Sequence, residues 1–132
     1  MFASEIFGLD FLIIAGDLNF TLCSDECWGK CRKRDPLADL IKMELLNRNL
    51  VDIAPSKMMP TWDNNRSGKA YIAKRIDCFI IHASVIDKMG MPFSFIGTSF
   101  SSDHRPIVLS WREKGFRVGY PFKFNWTWLE IP

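Results

Sequence analysis

Five consecutive apolar residues near the start of the chain end abruptly in a polar motif, and this break strongly constrains the fold. The apolar run covers residues 11–15 and is followed by Gly16-Asp17-Leu18-Asn19. A continuous apolar run of this length is typical of a strand covered on both faces, whereas a buried helix needs a longer pattern. Folds that combine helices and strands place their chemistry where strands end. The sequence therefore predicts an α/β protein with polar site residues at the end of a buried strand.

The rest of the chain predicts one helix and several short strands. Asp35-Pro36, followed by leucine and isoleucine at helical spacing, predicts a helix that ends near Arg48. The region 78–81 is apolar at both strand parities, which indicates a central, buried strand. Residues 23–35 are expected to form a surface loop and residues 84–88 a single helical turn. The predicted strands cover residues 50–53, 61–62, 69–81, 93–96 and 107–109.

Composition indicates a folded chain and leaves its partners open. The 132 residues allow one domain at most, and a hydrophobic content of 48% with a net charge of +2 argues against disorder. This small net charge neither identifies nor excludes a nucleic-acid partner, because local patches decide binding. No apolar run approaches the roughly 20 residues that span a bilayer, and no basic segment typical of a signal peptide precedes residue 11. We therefore expect an intracellular protein that does not bind membranes.

Basic residues concentrate in one short run, formed by Lys30, Arg32, Lys33 and Arg34. Such a run most often forms a solvated loop. It also suits a contact with the phosphate backbone of nucleic acid, because lysine and arginine pair with phosphate whatever the base sequence. Both interpretations stay open at this point.

The four cysteines, at positions 23, 27, 31 and 78, favour reduced thiols over a metal site. The first three would share one face if they lay on a helix. A zinc site, however, usually adds a second cysteine pair or histidines at short spacing, and the two histidines of this chain are distant.

Four short motifs together supply the groups that phosphodiester hydrolysis uses. Carboxylates hold Mg²⁺, and the metal stabilises charge on phosphoryl oxygens. An imidazole acts as a base or as a charged donor, and a carboxylate can orient it. Asp77 is expected to be buried among apolar residues, where it needs a partner, and His104 is the natural one. In chain order the motifs are Gly16-Asp17-Leu18-Asn19, Thr61-Trp62-Asp63, Arg75-Ile76-Asp77 and Ser102-Asp103-His104.

Two other interpretations of these motifs fail on spacing. A calcium-binding loop that began at Asp17 would need glycine at its sixth position and glutamate at its twelfth, where the chain has Leu22 and Trp28. Residues 102–104 are not a hydrolytic triad, because consecutive strand residues point to opposite faces and triad members converge in space.

In this order, the four motifs resemble the C-terminal half of the endonuclease/exonuclease/phosphatase family, and the resemblance covers about residues 10–110. A finer resemblance is to the endonuclease domains of non-LTR (LINE-type) retrotransposons, especially those of plants. Phe122-Lys123-Phe124 followed by Trp128-Leu129 looks like the segment that follows the endonuclease in those polyproteins. The resemblance implies a metal-dependent hydrolase, a nuclease that cuts DNA, for which a nuclear location would be fitting.

The resemblance also implies a role for each matching residue. Asp17 would contact the attacking water and the metal, and Asn19 would donate to a phosphate oxygen. Asp77 would orient His104, and His104 would bind the scissile phosphate or pass a proton.

The remaining motif residues would complete the site around a Mg²⁺ or Mn²⁺ cofactor. Asp103 would lie near the metal. Trp62 would line the pocket or pack beneath it. Arg75 would meet phosphate or pair with a carboxylate.

The implied fold is half of a four-layer, DNase I-like α/β-sandwich, with one mostly antiparallel sheet and one helix layer. Residues 1–112 would form this half, and residues 113–132 a polar and then aromatic tail or linker. The family's N-terminal half supplies an asparagine, the main metal-binding glutamate and usually a tyrosine or histidine, and none has a counterpart here. Glu5 lies too close to the first strand to serve. We therefore expect an incomplete site and negligible metal-dependent activity from the chain alone.

A single sheet with one helix layer would leave its other face bare and apolar, so self-association through that face is expected beside DNA binding by a complete domain. Two alternatives remain. One is a phosphatase of the same family that acts on a lipid, inositol or nucleotide substrate, since fold alone does not choose the substrate. The other is a non-catalytic remnant that binds nucleic acid or a partner chain.

Overall fold

A computed structural model describes residues 11–30 and 33–112. Within these ranges the chain forms eight strands and two α-helices, and all strand pairs are antiparallel. The helices are α1 (Ala38–Asn47) and α2 (Ala83–Met89). The strands are β1 (Ile13–Asp17), β2 (Cys27–Gly29), β3 (Leu50–Asp52), β4 (Trp62–Asp63), β5 (Ile72–Lys74), β6 (Asp77–His82), β7 (Phe93–Ile96) and β8 (Ile107–Ser110).

The α/β class is confirmed, but the strands form three small sheets where one was expected. Their orders are β1-β6-β3, β2-β5-β4 and β7-β8. Helix α1 packs on one face of the first sheet, where Leu45 meets the cluster of Leu50, Cys78 and Ile80. The prediction of a central, buried strand at 78–81 is confirmed, because β6 lies between β1 and β3 and its Ile81 is fully buried.

Strand β1 is covered on one face only, so the prediction of burial on both faces is wrong. Leu12 and Ile14 pack toward the α1 side of the sheet. On the other face Ile13 is 39% exposed and Ala15 is also exposed. The reason is that little of the described chain packs over this face of β1.

The predicted strand region at 69–81 is divided between two sheets, and this corrects the sequence analysis. Strand β5 belongs to the second sheet and β6 to the first. At the crossing, the amides of Ile76 and Asp77 both donate to the hydroxyl of Thr61, at 3.0 Å each, and the amide of Arg75 donates to the carbonyl of Glu26 at 2.9 Å. Because these amides find partners outside either ladder, the chain changes sheets without leaving a donor unsatisfied.

Part of the segment predicted as a surface loop is a strand with buried neighbours. Within residues 23–35, a 3-10 turn at Ser24–Glu26 leads into β2, and Glu26 and Cys27 are almost fully buried. Gly29 closes β2 with a positive φ of 100°, and a Cβ there would collide with the carbonyl of Tyr71. Alternation over three residues is too short a signal to distinguish such a strand from a loop.

Helix α1 ends as predicted and begins slightly later. Asp35 and Pro36 form a turn before it, in which the Asp35 carboxylate accepts from the amide of Leu37 at 2.9 Å. The helix ends at Asn47, and Asn49 follows with a left-handed φ of 54°. Helix α2 has two turns instead of the single turn predicted, and His82 caps it by accepting from the amide of Ser84.

The β7-β8 hairpin presents one covered and one open face. Ser94 and Leu109 face a second core cluster with Ile53, Ile81 and Val85. The opposite face carries Phe93, Phe95 and Val108, which are 39%, 44% and 38% exposed. The predicted tail at 113–132 and Glu5 lie outside the described residues. In the described ranges, no helix has the length and apolar character needed to cross a membrane.

Candidate functional site

Three motif side chains that are far apart in sequence converge where the first sheet ends. Asp17 is the last residue of β1 and Asp77 the first of β6, and the two lie directly opposite each other in the strand register. The Nδ1 atom of His104 is 2.9 Å from Asp77 Oδ2, and its Nε2 atom is 3.9 Å from Asp17 Oδ2. The predicted pairing of Asp77 with His104 is therefore present in the structure.

The Asp77 carboxylate determines which nitrogen of the His104 ring donates and favours the charged form of the ring. Only 11% of this side chain is exposed, and an ionised carboxylate accepts hydrogen bonds only, so Nδ1 donates to it. The other ring nitrogen, Nε2, faces Asp17. The hydrogen bond that His104 donates to Asp77 raises the pKa of His104 above its ordinary value and outweighs desolvation, which lowers it; the charges of Asp77, Asp103 and Asp17 raise the pKa further. The arrangement favours a charged imidazolium that can donate to an anion.

Asn19 lies beside Asp17 because the chain turns sharply after β1. Its backbone has a left-handed φ of 54°, a conformation that asparagine tolerates better than most residues. Its backbone N–H donates to Asp17 Oδ1 at 2.9 Å. This bond engages one oxygen of the Asp17 carboxylate.

Trp62 and Asp103 are hydrogen-bonded across the site. The indole Nε1 of Trp62 donates to Asp103 Oδ2 at 3.0 Å, and the amide of Asp63 donates to the Asp103 carbonyl at 3.2 Å. Trp62 also forms an isolated bridge with His104. These contacts fix the segment that carries His104 against β4.

Thr61 was part of a predicted motif, but no role was assigned to it. It is fully buried, and its hydroxyl accepts from the amides of Ile76 and Asp77. Its own amide donates to the Lys74 carbonyl at 3.0 Å, and its carbonyl accepts from the amide of Arg105 at 2.7 Å. Thr61 thus joins the backbone beside Asp77 to the backbone beside His104.

An open cavity of about 280 Å³ lies over these groups. Asp103 neighbours the cavity through its bond to Trp62. Lys74 was not singled out in the sequence, since its place depends on the pairing of β5 with β4. The residues that line the cavity are Asp17, Asn19, Trp62, Lys74, Ile76 and His104. A larger cavity of about 470 Å³ between α1 and the first sheet is lined mainly by leucine and isoleucine and contains none of the predicted site residues.

Of the two roles considered for Arg75, pairing with carboxylates is the one that the structure contains. Arg75 is 2% exposed, and its guanidinium bonds to Glu26 at 2.7 Å and to Asp52 at 2.7 and 2.9 Å. It also donates to the carbonyl of Ile53. Burial alone would lower the pKa of Arg75, but the hydrogen bond and charge of Asp52 outweigh it and raise the pKa.

The described residues of the basic run, Lys30, Lys33 and Arg34, do not line the cavity. Lys30, Lys33 and Arg34 are exposed, and Arg34 pairs with Asp39. Arg32 lies outside the described residues. These side chains therefore contribute nothing to the cavity itself.

The cysteines of the described chain are free thiols that the site does not use. Cys23, Cys27 and Cys78 form no disulfide. Burial raises the pKa of the Cys78 thiol to about 12, which leaves it unreactive. Cys31 lies outside the described residues.

The carboxylates of the site suit a magnesium ion only if water and substrate phosphate supply most of its ligands. Among the described residues, no group of three histidine, cysteine, aspartate or glutamate side chains is placed to hold a metal. Asp17 keeps one oxygen free of the bond from Asn19. Magnesium is commonly bound by one or two carboxylates, with water and substrate phosphate as the other ligands. The described residues are compatible with that mode and not with a dedicated protein cage.

Comparison with known proteins identifies the fold. No protein-family model matches the chain, and no curated protein matches it. Among solved structures, it is similar to the endonuclease domain of TRAS1, a telomere-specific non-LTR retrotransposon, with a TM-score of 0.59 and 23% sequence identity. The chain has an endonuclease-like fold. The match covers 78% of this chain and 44% of that one, so the chain spans less than half of the TRAS1 domain.

Proposed function

We propose that the cavity over Asp17, Asp77 and His104 binds a DNA phosphodiester and contributes to its metal-dependent hydrolysis. The observation that carries this proposal is the His104 imidazole, which Asp77 fixes through Nδ1 while Nε2 stays 3.9 Å from Asp17. A charged donor held at the mouth of an open cavity suits the oxygens of a phosphate in hydrolysis. The endonuclease-like fold supports the same class of reaction.

Each group has a distinct task in this proposal. His104 donates from Nε2 to a phosphate oxygen or passes a proton there, and Asp77 keeps the ring oriented and charged. Asn19 provides a side-chain amide for a second phosphate oxygen. Asp17 orients the attacking water. Mg²⁺ or Mn²⁺, held by Asp17 and Asp103, would supply charge stabilisation at the phosphoryl oxygens.

The metal in this proposal needs a further carboxylate from outside residues 11–30 and 33–112. Asp17 offers one free oxygen, and the indole of Trp62 already occupies one oxygen of Asp103. Two partly engaged carboxylates form a poor metal site on their own. We therefore expect little cleavage by the chain alone, and cleavage when the remainder of an endonuclease domain is supplied.

A supercoiled-plasmid nicking assay tests this function. A chimera is made in which the chain replaces the matching part of the TRAS1 endonuclease domain, and its folding is checked by circular dichroism. We expect nicking that requires Mg²⁺, is stopped by EDTA and is lost in His104→Ala. A folded chimera that binds DNA without nicking it, or that nicks equally well in His104→Ala, would overturn the proposal.

Two further results of these assays test the shared metal site and the substrate class separately. Nicking by the unmodified chain, lost in His104→Ala, supports the reaction and refutes the shared metal site. Efficient hydrolysis of a small phosphomonoester by the chimera, without nicking of DNA, would instead favour the phosphatase alternative.

A further inference from the structure

Lys74 lies in the cavity and has no part in the chemistry described above. It is the last residue of β5, where its carbonyl accepts from the amide of Thr61. The register places it directly opposite Trp62 on β4. Paired residues of an antiparallel ladder project from the same face of the sheet, so the side chains of Lys74 and Trp62 are neighbours.

The charge of Lys74 is available to a ligand. Within the described ranges, no ion pair links it to a carboxylate, whereas Arg75, the next residue, is bound on both sides. Lys74 is also the only permanent cation among the described residues that line the cavity. The acidic groups there would repel a phosphodiester, and an unpaired ammonium offsets that repulsion without help from a metal.

Trp62 gives the neighbourhood of Lys74 a fixed apolar surface. Its indole cannot turn freely, because Nε1 donates to Asp103. A fixed aromatic ring next to a cation suits a nucleic-acid strand, in which a sugar and base lie between consecutive phosphates. A small phosphomonoester offers a single phosphate and would need only one cationic contact.

We propose that Lys74 binds the phosphate next to the one that is cut, and thereby gives the cavity its preference for a DNA strand over small phosphate esters. This inference rests on the proposed function, since it assumes that His104 marks the scissile phosphate. His104 and Lys74 then occupy consecutive phosphates of one strand, with Trp62 against the nucleotide between them.

The test is the binding of a fluorescein-labelled oligonucleotide to the full chain, measured by anisotropy at several salt concentrations. With a single-stranded oligonucleotide, we expect Lys74→Gln to lose affinity roughly three- to tenfold, and the slope of log affinity against log salt to become smaller by about 0.7, as for one lost phosphate contact. Lys74→Arg should keep the wild-type slope. Lys69→Gln, an exposed lysine of the same region that does not line the cavity, serves as the matched control.

The outcomes separate this inference from the function on which it rests. If His104→Ala weakens binding while Lys74→Gln keeps the wild-type affinity and slope, the inference is wrong and the proposed function stands. If Lys74→Gln also weakens competition by thymidine monophosphate, Lys74 contacts the reacting phosphate and the neighbouring-phosphate assignment is overturned. If the chain binds no oligonucleotide at all, the inference on Lys74 fails, and the nicking assay of the chimera alone decides the proposed function.

Discussion

A single hydrogen bond connects the charge of His104 to the strand that carries Asp77. The 2.9 Å bond raises the pKa of His104 above its usual value of about 6.5 in model peptides. Because the pKa is higher in the folded chain than in the unfolded one, the pair stabilises the fold at low pH. That contribution is lost as the pH rises through the folded-state pKa.

Replacement of the Asp77 carboxylate should therefore change the titration of His104. We expect the pKa of His104 to lie above its ordinary value in the wild type and to be lower in Asp77→Asn, because the amide keeps the shape of the carboxylate but loses its charge. The measurement is an NMR titration of the imidazole protons, with His104→Gln to assign the signal. An unchanged pKa in Asp77→Asn would show that this hydrogen bond does not control the ring.

The Thr61 hydroxyl should be required for both stability and site geometry. Thr61→Val keeps the volume but leaves two buried amides without an acceptor, which we expect to cost about 1–3 kcal/mol in the free energy of unfolding. Thr61→Ser keeps the acceptor and should lose much less. Urea denaturation measures the stability, and the His104 titration reports whether Asp77 has moved. Equal behaviour of the valine and serine variants would contradict this role.

Sequence motifs predicted the polar residues of the cavity better than the residues that hold them in place. Asp17, Asn19, Trp62 and His104 were chosen as site residues, and the structure brings them to one cavity, because their chemistry is visible in residue type. The roles of Thr61 and Lys74 depend on which strands pair and in which register. That information is carried by contacts across the chain and not by any local pattern.

Among the elements, the change of sheet at Arg75 is the feature that a period-two pattern could not predict. Alternation of side chains continues on either side of the change, so residues 69–81 look like one strand. The change depends on bonds from Arg75 to Glu26 and Asp52, which belong to segments 49 and 23 residues away. Helix α1 was easier to predict, since its apolar spacing is local.

Loss of the Arg75 guanidinium should destabilise all the elements that meet it. Arg75→Met leaves Glu26 and Asp52 without their shared partner, and removal of one side of a buried ion pair typically costs about 3–5 kcal/mol. Urea denaturation measures this change. Arg66→Met, at an exposed arginine, is the control and should stay within about 0.5 kcal/mol of the wild type. A stable Arg75→Met variant would mean that the carboxylates find other partners.

For the whole molecule, the sequence predicted the α/β class and the apolar surface but not the number of sheets. Most strands, though not β2, were predicted from composition and alternation. Their distribution over three sheets follows from turns and side-chain bonds at the crossings. The exposed apolar residues are real in the described chain, as Ile13, Phe93 and Phe95 show.

These exposed residues should make the chain self-associate. Phe93, Phe95 and Val108 project from the open face of the β7-β8 hairpin, and contiguous apolar surface of this kind drives association. Light scattering after size exclusion should give a mass above the 15.3 kDa monomer that rises with concentration. Phe95→Lys should lower it, whereas a substitution at exposed Lys57 should not. A monomer mass at every concentration would refute this prediction.

The facing carboxylates of Asp17 and Asp77 have an evolutionary consequence. Like charges directly opposite in an antiparallel ladder are unfavourable by roughly 0.2–1 kcal/mol, so the fold keeps the Asp17 carboxylate opposite Asp77 at a cost. Random drift removes such a pair readily, since most replacements of Asp17 would relieve the repulsion. A chain that had only to fold would therefore be free to lose Asp17, whereas buried positions such as Ile81 would have to stay apolar.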